Sequence, residues 1–450
     1  MKPKLFKATL LIGTTALIFS SCKPEVDAPI PQKGRIDVTK YVSIGNSITA
    51  GYADNALYYD AQIVSYPNLI AQQFKMIGAD NFIQPLVPAT SAGIGFALNA
   101  RYVLAPKTDC AGMTSLAPVY SAVSGDLNIF STSVAAQGPF NNMSVPGLKT
   151  TTTIYPGYGD YTRGVGNFNP FFTRMTTQPQ SASILSDAMA QNPTFFSLLI
   201  GNDDVMSYAL AGAAADAITP SEGPIGYGFN ASFDLIANTL TAGGAKGVIA
   251  NIPHINSIPY FTTIPYNGLV LNETYAAGLS AAYAQLGISF SAGANGFIIE
   301  DETAPGGLRQ IKQEEMVLLS IPQDSLKCAG WGSLKPIPNK YVLTKKEIAQ
   351  INEAVSAYNT KIKLVADAKG LAFADVNTFM NHARTGTIYN GIGMNAQYVS
   401  GGIFSLDGVH LTPIGNALLA NEFIKVINSK YGSSIPQVDA TKYKGVIFPL

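Results

Sequence analysis

Four short apolar runs constrain the fold of this chain more than any other feature. Each is bounded by Gly, Pro, Asn or Asp, and they cover Tyr41–Ile44, Thr194–Ile200, Gly247–Ile252 and Leu371–Val376. Short runs that are mostly apolar, without regular alternation, are typical of parallel strands buried on both faces. The sequence therefore predicts an α/β fold with a central parallel sheet.

Helical patterns lie between these runs. The clearest, Lys345–Lys369, has apolar residues at alternating spacings of three and four, which places them on one face. Thr344 and Glu347 are placed to form a capping box at its start, and Gly370 suits its end. Further helices are predicted at Tyr66–Ile77, at Phe233–Leu240 and from Thr412-Pro413 onward. Helices that alternate with strands predict a sheet covered on both faces.

The first 22 residues have the pattern of an export signal. Lys2, Lys4 and Lys7 precede the apolar stretch Ala8–Phe19, which is too short to span a bilayer comfortably, and small residues then lead to Cys22. This pattern resembles a bacterial lipoprotein signal, which implies cleavage before Cys22 and lipidation of its side chain. The attached acyl chains would tether the protein to the cell envelope, at the outer membrane, without a spanning helix. An ordinary secretory signal with an incidental Cys is the alternative.

The remaining chain is predicted to contain a tether and one domain. Residues 23–37 carry three Pro and several charges and are predicted to be the tether, and residues 38–450 are predicted to form a single domain. Stretches at about 52–137 and 253–339 are longer than a minimal α/β domain needs and are predicted insertions. The aromatic loop 151–174 either lines a cleft or packs on itself.

The composition excludes some classes of partner. The chain is 47% hydrophobic and 13% charged, so it is too apolar to be disordered. Its 29 basic and 29 acidic residues form no basic stripe, so nucleic acid is not an expected partner. No cluster has metal-ligand spacing and no Gly-rich loop matches a phosphate site, so no cofactor is expected. With Cys22 at the anchor, Cys110 and Cys328 remain, and they form either one disulfide or two free thiols.

A serine directly follows the first predicted strand. Ser47 lies in a turn between Gly45 and Gly51, at the carboxyl end of a strand, where ligands bind in open α/β sheets. A nucleophilic Ser needs an exposed hydroxyl, neighbouring backbone N–H groups and a His base. Near the other end of the chain, His410 follows Asp407 by three residues. The two segments together indicate a serine hydrolase.

The chain has three histidines, so few bases compete with His410. His254 follows a predicted strand end and is either a substrate contact or a loop residue. His382 has the pattern of an exposed helix or loop residue.

Four segments, in order, resemble the sequence blocks of the SGNH (GDSL-type) esterases and lipases. They are Gly45-Asn46-Ser47, Asn142 to Gly147, Gly201-Asn202-Asp203-Asp204, and Asp407-Gly408-Val409-His410 with its trailing Pro413 and Gly415. The resemblance spans about residues 40–430. It implies a flavodoxin-like three-layer α/β/α sandwich and ester hydrolysis through an acyl-enzyme.

The resemblance also implies roles for single residues. Ser47 would be the nucleophile, His410 the general base, and Asp407 the group that orients His410. The backbone N–H groups of Ser47 and Gly147, with an Asn side-chain amide, would form the oxyanion hole. The family's usual Asp before the Ser is Asn46 here, a change that the turn is expected to tolerate.

The third block does not decide which residue supplies the side-chain donor of the oxyanion hole. In strict register that position falls on Asp203, whose carboxylate would repel an oxyanion. A shift of one residue places the donor at Asn202, which we favour because an amide donates and an ionised carboxylate does not. A protonated Asp203 would require a raised pKa.

Taken together, these features predict a serine ester hydrolase that acts on lipid or acylated-carbohydrate esters. A carbohydrate deacetylase would use the same triad. The alternative from another class is a non-catalytic surface lipoprotein that binds glycan or lipid on the same scaffold.

Overall fold

The computed structural model describes residues 30–449. The predicted lipoprotein signal, Cys22 and the start of the predicted tether lie outside this range. Residues from Pro31 onward form one compact unit. The end of the predicted tether belongs to this unit, because Ile36 is buried and the Arg35 N–H donates to the Tyr431 carbonyl oxygen at 3.0 Å. Within residues 30–449, no helix is long and apolar enough to cross a membrane.

A parallel sheet forms the centre of the unit. Its strands are β1 (Tyr41–Gly45), β2 (Phe195–Leu199), β3 (Lys246–Ala250) and β4 (Ala372–Ala374), in that spatial order. Every neighbouring pair is parallel. Nearly all of their residues are buried, as expected for strands covered on both faces.

A further extended segment lies along the free edge of β1. The Ser43 N–H donates to the Asn141 carbonyl oxygen at 2.9 Å, and the Met143 N–H donates to the Ser43 carbonyl oxygen at 2.8 Å. This segment also runs parallel to β1. Numbered along the chain, the five segments therefore have the spatial order 2-1-3-4-5 of flavodoxin-like sheets, and the order reverses beside β1. Ligands of such sheets bind at the carboxyl ends of the strands at this reversal.

Two groups of helices cover the sheet. The main helices are α1 (Tyr66–Phe74), α2 (Asp203–Leu210), α3 (Phe229–Thr241), α4 (Lys345–Ala368), α5 (Val376–Thr385) and α6 (Pro413–Tyr431). Helices α1 and α6 contact each other, and the Tyr66 and Phe423 rings lie 4.8 Å apart. Helices α3 and α4 contact each other, where Phe229 stacks on Tyr358 at 3.9 Å. The predicted α/β/α layers are confirmed.

Local sequence signals account for the helix ends. The Glu347 carboxylate accepts from the Thr344 N–H at 2.7 Å, and the Glu347 N–H donates to the Thr344 hydroxyl at 3.5 Å, which is the predicted capping box. Thr412 caps α6, because its hydroxyl accepts from the Gly415 N–H at 3.2 Å. Pro413 occupies the first helical position, where no N–H is needed.

The predicted insertions contain small elements of their own. Their antiparallel strand pairs are Tyr52–Ala53 with Ala56–Leu57, Tyr102–Thr108 with Thr114–Tyr120, Leu269–Leu271 with Gly293–Asn295, and Ile298–Glu300 with Leu308–Gln310; Met316–Val317 pairs with Val342–Leu343 beyond the second insertion. Their helices include Tyr59–Gln62, Asn128–Ser131, Pro259–Thr262, Glu273–Ala282 and Gln323–Lys327. Helix α1 also lies inside the first predicted insertion. The second insertion builds two small apolar clusters separate from the main core.

The remaining elements are short. They are the helices Ser47–Ala50, Thr150–Thr153, Pro170–Thr173 and Ile184–Met189, and the strand pair Thr387–Tyr389 with Ile392–Met394. Single 3₁₀ turns occur at Lys75–Ile77, Ala135–Gln137, Tyr161–Arg163, Ile255–Ser257, Ala284–Leu286, Pro305–Gly307, Asn339–Tyr341 and Ala440–Lys442.

Candidate active site

Ser47 lies where the chain leaves β1. A side chain at Gly45 would collide with the Thr49 side chain and the Leu199 carbonyl oxygen, so the turn is too tight for any other residue. Ser47 then starts a single helical turn that ends at Gly51, whose φ is +81°. The Ser47 side chain is consequently held at the carboxyl end of β1, at the reversal in strand order.

His410 and Asp407 complete a hydrogen-bonded relay with Ser47. The His410 Nε2 atom lies 2.9 Å from the Ser47 hydroxyl oxygen, and the His410 Nδ1 atom lies 2.8 Å from Asp407 Oδ2. Ser47 and His410 are 363 positions apart in the sequence. They meet because α6, which follows His410, packs on the sheet. Both distances suit proton transfer from a hydroxyl to a carboxylate-oriented imidazole.

Asp407 is held as a carboxylate by the donors around it. Its Oδ1 atom accepts from the backbone N–H groups of Val409 and His410, both at 2.8 Å, and from the Ser405 hydroxyl at 3.0 Å. Its Oδ2 atom also accepts from the Asn55 N–H at 2.9 Å. Burial alone would raise the pKa of Asp407, but the charge of His410 and these hydrogen bonds outweigh it and hold the pKa well below its usual range.

A small hairpin in the first insertion positions Asp407, and sequence analysis missed it. Asp54 and Asn55 form its two-residue turn, and both have positive φ (50° and 63°). The Asp54 carboxylate accepts from the Leu406 N–H at 2.9 Å, and the Asp54 N–H donates to the Ser405 hydroxyl at 3.0 Å. An Asp-Asn pair between short apolar runs is a signal for such a turn, so the hairpin was open to prediction.

Two of the expected oxyanion donors, the backbone N–H groups of Ser47 and Gly147, have no acceptor inside the part of the protein that the structure describes. Within residues 30–449, neither the Ser47 N–H nor the Gly147 N–H donates to any acceptor. Gly147 has a φ of +78° and lies beside Phe96, which lines the same cavity as Ser47. Asn142, from the same sequence block as Gly147, donates from its side-chain amide to the Thr49 carbonyl oxygen at 2.9 Å. This bond supports the turn that carries Ser47.

Asn202 and Asp203, the two candidates of the third block, both line the cavity that Ser47 also lines. Within the described chain, the side-chain oxygen of Asn202 and the Oδ2 atom of Asp203 are buried and make no hydrogen bond. Asp204 points elsewhere, since its carboxylate accepts from the Thr150 N–H at 2.8 Å. Burial, opposed by the charge of His410, raises the pKa of Asp203 to about 7.

The relay opens into a cavity of about 660 Å³, which is within the usual range for small-molecule sites (about 300–1,000 Å³). The two insertions supply more than half of its lining residues. The hairpin Tyr102–Thr108 with Thr114–Tyr120 lies on one side of it, and the Gln323–Lys327 helix lies on another. We call these two elements the roof.

A covalent bond joins the two halves of the roof. Cys110 and Cys328 form a disulfide, with an S–S distance of 2.02 Å, across 218 positions of sequence. An ion pair of 3.1 Å between Lys327 and Asp109 lies beside it. The disulfide, which sequence analysis left open, therefore ties the two insertions together over the cavity.

The other candidate residues lie away from the relay. His254 bonds to the Asn352 side chain at 3.1 Å, and His382 is exposed on α5. The aromatic loop packs on itself and on the core, as where Phe171 lies 4.9 Å from Phe130 and Phe172 lies 6.2 Å from Tyr158. None of the loop's rings lines the cavity. Among residues 30–449, no group of three or more His, Cys, Asp or Glu is arranged to hold a metal ion.

Comparisons with known proteins give little beyond this geometry. No protein-family model matches the sequence, and no curated protein matches it. Among solved structures, the chain is similar to an extracellular lipase from Streptomyces rimosus, at 13% identity and a TM-score of 0.32, over 87% of this chain and 99% of the lipase chain. This likeness is too weak to assign an activity.

Proposed function

We propose that the protein is a serine ester hydrolase with Ser47 as nucleophile. The observation that carries this proposal is the unbroken relay from Asp407 through His410 to Ser47, which opens into a cavity large enough for a small substrate. An isolated Ser, His or Asp is common on protein surfaces. Here the three side chains are linked by hydrogen bonds, at 2.8 Å from Asp407 to His410 and 2.9 Å from His410 to Ser47, which is the geometry that activates a hydroxyl.

The geometry supports a two-step acyl transfer. With a proton on Nδ1 held by Asp407, the His410 Nε2 atom takes the Ser47 proton as the hydroxyl oxygen attacks the ester carbonyl carbon. The tetrahedral oxyanion lies against the Ser47 and Gly147 N–H groups and the Asn202 amide. His410 then gives its proton to the leaving alcohol, and the acyl group stays on Ser47. His410 next takes a proton from water as the water oxygen attacks the acyl carbon. The bond between that carbon and the Ser47 oxygen then breaks, the acid leaves, and His410 returns the proton to the Ser47 oxygen.

The lining of the cavity favours an apolar acyl group. Its walls are largely aliphatic or aromatic, and include Ile48, Phe96, Val205, Met206, Leu210, Ile258, Ile264, Leu319, Ile321, Met380, Leu406 and Val409. Charged side chains lie on the roof, at Lys107, Asp109, Asp324 and Lys327. A substrate with an apolar acyl chain and a polar alcohol part suits this distribution.

A series of p-nitrophenyl esters, from acetate to dodecanoate, tests this function. Each buried methylene contributes up to about 0.8 kcal/mol, or about fourfold, so we expect kcat/KM for octanoate to exceed that for acetate by at least about tenfold. A preference for acetate would favour the deacetylase instead. No hydrolysis of any ester in the series would favour the non-catalytic binding module.

We also propose that the protein is exported and anchored through lipidated Cys22. The Cys110–Cys328 disulfide supports export, because such bonds are rare in reducing compartments. In cells expressing the full chain, Cys22→Ser is expected to abolish labelling by radioactive palmitate and to move the protein from the membrane to the soluble fraction. Cys110→Ser serves as a control that keeps the label. Unchanged labelling of the Cys22 variant would contradict the anchor.

A further inference from the structure

One carboxyl group in the cavity wall has no part in the relay. Asp203 is the first residue of α2, which starts beyond the carboxyl end of β2, the strand next to β1. Within residues 30–449, its Oδ2 atom is buried without a hydrogen bond and its carboxyl group forms no ion pair. A buried carboxylate without a cationic partner is unfavourable, so the neutral acid is the favoured state of such a group.

The charges around Asp203 do not supply a partner for its ionised form. Lys149 is committed to Asp216, with its Nζ atom 2.6 Å from that carboxylate. Burial raises the pKa of Asp203 most, and Asp204 on the same helix raises it further. The charge of His410, a hydrogen bond from the Asn46 side chain and the charge of Lys149 lower it. Burial and, to a smaller extent, the charge of Asp203 raise the pKa of Tyr158 in the aromatic loop. Burial outweighs the lowering effects, and the pKa of Asp203 rises to about 7.

We propose that Asp203 is a catalytic residue whose neutral carboxyl group donates a hydrogen bond to the oxyanion formed at Ser47, and whose ionised form withdraws that donor and repels the oxyanion. This inference rests on the proposed ester hydrolysis and adds a proton switch to it. A neutral carboxyl group has one O–H donor, whereas a carboxylate has none. Asp203 would therefore act beside Asn202, and only while it holds its proton.

The proposal implies a defined pH dependence. Hydrolysis needs neutral Asp203 as the donor, so the rate falls with rising pH as Asp203 loses its proton. The alkaline fall begins near pH 7 in the wild type. A carboxamide does not titrate, so Asp203→Asn keeps a donor and loses the fall.

Profiles of kcat/KM against pH test this inference with wild type, Asp203→Asn, Asp203→Ala and Asp187→Asn. The Asn variant is expected to match or exceed the wild type at neutral pH and to stay on a plateau in alkali. The Ala variant also lacks the fall but is slower than the Asn variant by about 10²–10³-fold, because one donor is gone. Asp187, another partly buried carboxyl group with a raised pKa, lies outside the cavity, and its variant should keep the wild-type profile.

The outcomes separate this inference from the proposed function. Wild type without esterase activity would contradict the proposed function. An active wild type whose alkaline fall persists in Asp203→Asn would overturn the role of Asp203 alone. Equal rates for the Asn and Ala variants would do the same. Because Asn is close in shape to Asp, the pH profile of the Asn variant tests the role of Asp203 even if the Ala variant does not fold.

Discussion

Replacing Ser47 by Ala is expected to lower kcat/KM for ester hydrolysis by about 10⁴–10⁶-fold. The hydroxyl oxygen is the atom that forms the acyl-enzyme, and no other hydroxyl lies within hydrogen-bond distance of His410 Nε2 in the described chain. The measurement is steady-state hydrolysis of the best p-nitrophenyl ester. Reaction with a fluorophosphonate probe, followed by peptide mapping, should label Ser47 in the wild type and nothing in the variant.

The fold should survive this substitution, because only one oxygen atom is removed and Gly45 and Gly51 still shape the turn. Ser356→Ala is a matched control, since Ser356 is exposed on α4 and its hydroxyl bonds only to its own helix. The control should keep both the rate and the probe label. Comparable turnover by the Ser47 variant, with its thermal transition unchanged, would rule out Ser47 as the nucleophile.

The parts that were predicted from sequence depend on local signals. The run Tyr41–Gly45 is mostly apolar and ends in a Gly that the turn requires, so both the strand and the turn could be predicted. The capping pair at Thr344 and Glu347 likewise acts within four residues. Such elements are set by short-range pattern, which is why their type and approximate bounds agree with the structure.

The parts that sequence left open depend on distant residues that meet only in the fold. Cys110 and Cys328 are 218 positions apart, and no local pattern decides whether their Cα atoms lie within bonding range, at 6.3 Å. The Asn55 N–H, which donates to Asp407, comes from the opposite end of the chain. The choice between Asn202 and Asp203 was similarly undecided, because it depends on burial and on the charge of His410 rather than on motif register.

Asp407→Asn is expected to lower kcat/KM by about 10⁴-fold while leaving Ser47 and His410 in place. The reason lies in the donors that surround the carboxylate. Its Oδ1 atom accepts from the Val409 and His410 N–H groups, so the amide oxygen of Asn must take that position. The amide NH₂ group of Asn then takes the position of Oδ2. In the wild type, Oδ2 accepts from the Asn55 N–H and from the His410 Nδ1–H.

This arrangement reverses the polarity of His410. An NH₂ group facing Nδ1 requires Nδ1 to accept, which places the ring proton on Nε2, and Nε2 then donates to Ser47 when it should accept from it. The base is thereby lost although every distance in the relay is kept. The half-buried Asn55 N–H also loses its acceptor, which is expected to lower the free energy of unfolding by about 1 kcal/mol. Both effects distinguish Asp407 from a residue that only fills space.

The measurement combines kinetics with thermal unfolding, and the control is Asp367→Asn, an exposed carboxylate on α4 that pairs with Lys363. The control is expected to keep the wild-type rate and to change stability by no more than about 1 kcal/mol. For Asp407→Asn, the slow rate should hold across neutral pH, because the pKa of Asp407 lies well below its usual range and the wild-type carboxylate is ionised throughout. A variant that is folded and hydrolyses esters at the wild-type rate would show that Asp407 does not set the tautomer of His410, and the relay would then reduce to a Ser–His pair.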